Sequence, residues 1–249
     1  MATIYPYYLM AKEITAGHAQ VDLLYPSQVS PHFYKLKPAD ISRLDKGQLI
    51  IANGLGLDNK VLKNLHYNSS RLIIAADFVD IKSGNPHIWL DPVFLKDIVK
   101  GLAEKLGSLD TENEKIYFDN AQKIITELVE LDKQITKERA QYNYVTAITL
   151  HDAFYYFARR YNLHIIPMEA FPGKNLSPGE LANLLNIIKE QHIKALYIEP
   201  QINPAQAVVL ANENHLDLFI LNSLDTFTDN AHISDLLRDN WITLKKGFK

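Results

Sequence analysis

The chain has 249 residues, 47% of them apolar, with 26 basic and 29 acidic side chains and a formal net charge of −3. So even a balance excludes nucleic acid as the main partner, because phosphate binding needs a strongly basic face. There is no cysteine, which removes disulfides, thiolate metal sites and thiol nucleophiles together.

The length is enough to bury one large core or two smaller ones. No apolar run approaches the ~20 residues of a membrane helix. Met1-Ala2 leads almost directly into the strand-like Thr3-Ile4-Tyr5, and no secretory leader is visible. An exported chain whose leader has been replaced by a start codon would read the same way.

Short β-rich runs alternate with helical patterns. Strands are predicted at Ala2–Tyr5, Gln20–Leu24, Gln48–Ala52, Arg71–Ala75, Val145–Thr149, His164–Pro167, Ala195–Ile198 and Leu218–Leu221. They are short and mostly unalternated, as in parallel sheets covered on both faces. With helical crossovers between them, the class is α/β.

Asp91-Pro92 and Asn203-Pro204 each offer an N-cap followed by proline. Thr111 to Glu114 and Ser177 to Glu180 match the capping box. From Thr111 to about Gln141 the chain is charged and free of Gly and Pro. Tyr117, Ala121, Ile124, Leu128, Leu131 and Ile135 form one apolar stripe there. Roughly 30 residues at ~1.5 Å each give about 45 Å of helix, more than one small lobe needs. With four strands predicted on either side, the expected organisation is an N-terminal α/β lobe over 1–110, a connecting helix over 111–141 and a C-terminal α/β lobe over 142–249.

Three histidines stand in special local contexts. His32 lies beside Pro31 after the second predicted strand. His87 lies in Asn85-Pro86-His87-Ile88-Trp89-Leu90-Asp91-Pro92, just before a helix start. His151 follows the strand at Val145–Thr149. Ligands in open α/β sheets bind beyond the carboxyl ends of strands, so these imidazoles can meet across a cleft between lobes. Three converging imidazoles make a metal site, with zinc the first candidate.

Glu199, at the end of the strand Ala195–Ile198, is expected as a fourth ligand or as an acceptor behind an imidazole. Asp152 is expected to cap its helix, and Asp225 is a weaker candidate near the last strand. The other six histidines (18, 66, 164, 192, 215 and 232) have no such context. The chain has no G-x-S-x-G elbow, no H-E-x-x-H helix and no Walker A loop. Asn53-Gly54-Leu55-Gly56-Leu57 lacks the third glycine of a dinucleotide loop and reads as a turn.

These strings resemble those of the zinc- and manganese-binding solute-binding proteins of bacterial metal ABC transporters. Pro31-His32-Phe33-Tyr34 through Asp40, the Asn53–Leu57 turn, Asn85 through Pro92, His151-Asp152-Ala153-Phe154 and Glu199-Pro200-Gln201 are similar to that family's motifs, in order, over nearly the whole chain. The resemblance implies two α/β lobes joined by one long rigid helix, with the metal between them. It implies export to the periplasm or outer cell surface, a monomer, and delivery to a membrane permease.

By motif, His32, His87 and His151 would be ligands. A third imidazole in place of a carboxylate leans toward zinc, with manganese the alternative cargo. The family's fourth ligand is an aspartate, whose place Asn222 takes here in Leu221-Asn222-Ser223-Leu224-Asp225. The fourth position then falls to water, Glu199, Asn222 or Asp225. The His-rich loop of many zinc-type members is missing at Asp80–Gly84, and the lipobox cysteine of others is absent. Two other readings stand beside this one: a relative repurposed as an adhesin or interaction protein, and a three-histidine zinc hydrolase using bound water.

Overall fold

The computed structural model describes residues 1–26, 29–64, 69–143, 145–169, 176–224 and 231–248. In the N-terminal lobe, β1 (Ile50–Ala52) pairs in parallel with β2 (Leu72–Ile74). Ala2 bridges to both Leu23 and Ile51, extending this sheet by single residues. The strands predicted at Ala2–Tyr5 and Gln20–Leu24 are therefore reduced to bridges. Pro6 falls in the first turn of α1 (Tyr5–Thr15), which takes over the chain directly after the bridge.

The C-terminal lobe holds a four-stranded parallel sheet in the order β4-β3-β5-β6. Its strands are β3 (Thr146–His151), β4 (His164–Glu169), β5 (Ala195–Ile198) and β6 (Asp217–Ile220). A central β3 is as expected for an α/β lobe. It runs on to His151 itself, so this histidine is the strand's last residue.

Helices α2 (Pro38–Lys46) and α3 (Asn59–Asn64) lead to α4 (Pro92–Leu109), which begins where predicted, and α6 (Tyr155–Arg160) follows β3. Asp91 caps α4, with Oδ1 accepting from Val93 N at 2.8 Å and Phe94 N at 3.2 Å. Helix α5 spans Glu114–Arg139, 26 residues, or about 39 Å. It starts three residues later than predicted. The Thr111 capping box does not form, because Asn113 precedes the helix and spends its amide on Asp110.

The whole predicted stripe of α5, from Tyr117 to Ile135, is buried. Helix α5 packs on α1 and α4 of the first lobe and on α9 (Ile233–Lys245) of the second. At its far end Glu138 receives bonds from Lys245, from Gln134 Nε2 at 2.8 Å and from Trp241 Nε1 at 2.8 Å, which together hold its carboxyl down at about 2. One continuous apolar core runs through both lobes and includes Trp89, Tyr117, Leu131, Phe157 and Trp241. A smaller core lies against the second sheet under α7 (Pro178–Glu190) and α8 (Ala205–Asn214). Trp89 Nε1 donates to Ser223 O at 2.7 Å, joining residues 134 apart in sequence.

Candidate metal centre

His32 comes from a turn after Pro31, and His87 directly precedes the short 3-10 turn Ile88–Leu90 that leads into α4. Both belong to the first lobe. His151 ends β3 of the second. The three rings meet: His87 Nε2 lies 3.1 Å from His32 Nε2 and 3.1 Å from His151 Nε2. One nitrogen from each ring falls within 4.8 Å of the others. Zinc with bonds of about 2.05 Å in a tetrahedron would hold its ligand nitrogens about 3.3 Å apart, close to the two short distances.

The far nitrogens decide what the near ones can do. Asn85 Oδ1 accepts from His87 N at 3.0 Å and lies 2.8 Å from His87 Nδ1. Asn85 Nδ2 donates to the carbonyl of Asp152 at 2.8 Å. The amide orientation is thus set from both ends, and His87 must carry its proton on Nδ1. On the other lobe Glu199 Oε1 lies 2.5 Å from His151 Nδ1, with both groups almost fully buried. That carboxylate makes Nδ1 of His151 a donor as well.

The Nε2 lone pairs of His87 and His151 therefore face each other at 3.1 Å. Two lone pairs at that distance repel unless they share a cation. Burial, reinforced by the neighbouring imidazoles, pushes His87 well below the ordinary histidine range. Burial, then the field of His151, pushes His32 down to about 4. At neutral pH these two rings are uncharged, as metal binding would require.

The three histidines open onto a cleft of about 570 Å³ that is also lined by Leu55, Asn59, Lys60 and Ser83. Neither Glu199 nor Asn222 lines it. Glu199 is placed behind His151, its second oxygen 3.4 Å from Gln201 Nε2. The side-chain oxygen of Asn222 accepts from Leu224 N at 2.8 Å, closing its own turn. The Asn222 backbone is held on both sides by Asn240. Asp225 lies outside the described residues.

Asp152 does not cap the turn it opens. Its carboxylate instead accepts from Asn85 Nδ2 at 3.0 Å, a correction that follows from the approach of the other lobe. The turn expected at Asn53–Leu57 forms, with Gly54 at φ +86° and Gly56 at φ +87°. Asn53 Nδ2 also donates to Pro86 O at 3.0 Å, steadying the loop before His87. The supporting roles of Asn85 and Asn53 are not legible in the sequence, because their partners lie 67 and 33 residues away.

Two parallel α/β lobes set on one long helix, with imidazoles from both lobes meeting in the cleft, define a two-lobed solute-binding protein. The profile described as "Zinc-uptake complex component A periplasmic" (ZnuA) matches residues 1–247. The chain belongs to that family, which is made up of solute-binding proteins.

A Thermotoga maritima protein is 32% identical over 254 residues, covering 100% of this chain and 92% of the relative. The high-affinity zinc uptake system protein ZnuA of Bacillus subtilis is 28% identical over 273 residues, covering 98% and 86%. The manganese-binding lipoprotein MntA of Halalkalibacterium halodurans is 23% identical over 248 residues, covering 94% and 80%. A solved ZnuA structure superposes with a TM-score of 0.88 at 25% identity, covering 100% of this chain and 98% of that one. The long helix and the interlobe cleft read from the sequence agree with this architecture. Among the described residues, no helix is long and apolar enough to cross a membrane.

Proposed function

We propose that this chain captures a divalent transition metal outside the cytoplasmic membrane, as a monomer, and hands it to the permease of an ABC transporter. Zinc is the first cargo and manganese the alternative, in line with the names of its relatives. We assign His32, His87 and His151 as the protein ligands, with Glu199 fixing the ring of His151 from behind. The fourth bond goes to water in this assignment. Asn222 does not take it in this assignment, since its side-chain oxygen is engaged by Leu224 N.

The observation that carries this reading is the pair of facing Nε2 lone pairs at 3.1 Å, each enforced by an acceptor on the opposite ring nitrogen. A buried arrangement of that kind is favourable only around a cation. We also infer that the site stores metal and does not hydrolyse with it. Glu199 and Asp152, beside the histidines, are engaged with His151 and Asn85, which argues against either as a general base.

The three-part division at about 110 and 142 is part of the same proposal. The core shared across it leaves room for only small relative movement of the lobes.

The test is calorimetric titration of metal-stripped protein with zinc and then manganese at pH 7, beside His87→Ala. One saturable zinc site that the variant lacks is the expected result. No saturable binding of either metal would sink the proposal.

A further inference from the structure

We propose that Asn85 is a positioning residue that couples the ring of His87 to the contact between the lobes, and thereby sets how fast bound metal leaves. This rests on the metal-binding reading above. One side chain makes both connections. Its oxygen takes His87 N at 3.0 Å and the Nδ1 proton of His87 at 2.8 Å. Its nitrogen gives one hydrogen to the Asp152 carbonyl at 2.8 Å and the other to the Asp152 carboxylate at 3.0 Å. The amide's donors and acceptor are all in use.

Asp152 is the neighbour of His151. The amide therefore bridges residues adjoining ligands on opposite lobes. The same loop is held again from the second lobe by the Tyr156 hydroxyl, 2.8 Å from Asn85 O and 3.1 Å from Ser83 O. Farther along this edge, Arg160 Nε meets Asp91 Oδ1 at 2.5 Å.

The chemistry is specific to an amide. A carboxylate at position 85 could still accept from His87, but it has no hydrogen to give and would set a second negative charge against Asp152. An aliphatic residue would satisfy neither side. Drawing the lobes apart along this edge pulls Asn85 away from Asp152. Freed at that end, the amide no longer pins the proton on His87 Nδ1. Without that acceptor Nε2 is a weaker electron-pair donor and its bond to the metal loosens; once the metal has left, the ring can take its proton on Nε2, which blocks rebinding. Lobe separation and loss of a ligand become one event.

The test uses the full chain. Zinc-loaded wild type, Asn85→Asp, Asp152→Asn and the double variant are each mixed with excess chelator at pH 7.5, and the dissociation rate is followed by stopped flow. Asn85→Asp is expected to speed release about tenfold or more. The double variant exchanges amide and carboxylate, restores the side-chain donor–acceptor pair across the lobes but not the bond to the backbone carbonyl of residue 152, and should release zinc at least about threefold more slowly than Asn85→Asp.

A second readout needs no metal. Nitrogen-15 spectra of the metal-free protein should show His87 in its Nδ1–H form in wild type and in Asp152→Ala, and a mixture of forms in Asn85→Leu. A wild type that holds no zinc overturns the metal reading and this inference with it. A wild type that holds zinc, with Asn85→Asp releasing it at the same rate, overturns the inference alone. So does a double variant as fast as the single one, or Asn85→Leu with the His87 tautomer unchanged.

Discussion

Replacing Glu199 tests how the second lobe prepares its ligand. The carboxylate lies 2.5 Å from His151 Nδ1, and both side chains are almost completely shielded from water. Glu199→Gln keeps an acceptor oxygen of nearly the same shape but removes the charge. Hydrogen bonds to charged groups contribute about 1.5–3 kcal/mol, against about 0.5–1.5 for neutral ones. The difference of roughly 1.4 kcal/mol is tenfold in affinity.

Glu199→Leu also removes the acceptor. His151 can then move its proton to Nε2 and present an N–H to the metal. The loss should reach about a hundredfold, the upper end for residues that orient a metal-bound imidazole. Competition titration of each variant with a chromophoric chelator measures the series. Affinities in the order wild type, Gln, Leu support the orienting role. Glu199→Gln as damaging as His87→Ala would mean that Glu199 is itself a ligand. No change within twofold in either variant would refute the argument.

Further measurements follow from the same structure. The metal-free protein should lose stability as pH falls. His32 has a folded value of about 4, below the ordinary 6.5, and His87 is lowered as well. Below 6.5 the unfolded chain then binds protons that the folded chain does not, so stability drops from pH 6.5 down to about 4, by about 1.4 kcal/mol per unit of depression. Urea midpoints across that window check it, and a flat profile would count against buried neutral histidines. Trp89→Phe leaves the Ser223 carbonyl buried without its donor and should cost about 2–3 kcal/mol in chemical denaturation. Leu131→Ala, in the fully buried stripe of α5, should cost about 2–5 kcal/mol. Because one core spans both lobes, its melting should stay a single transition.

Much of the fold is local enough to be written in the sequence. The α5 stripe has helical spacing. The Asp91 and Ser177 caps stand where the structure uses them, and the strands of the second lobe are bounded by turn residues. The three histidines were conspicuous because each sits at a proline turn or a strand end. Failures occur where a nearby signal competes. Ala2–Tyr5 has strand composition, but the proline at position 6 starts a helix there. Thr111 and Glu114 have capping-box spacing, but Asn113 already pairs with Asp110.

Only the tertiary structure shows which groups Glu199, Asn222, Asn85 and Asp152 hydrogen-bond. The Glu199–His151 pair spans 48 residues and the Asn85–Asp152 pair 67. A hydrogen bond over such separations depends on how two lobes seat on one helix, and no spacing along the chain encodes that. Local periodicity and caps therefore determined the elements and marked the ligand candidates. The packing of the lobes decided that His87 and His151 turn Nε2 toward each other.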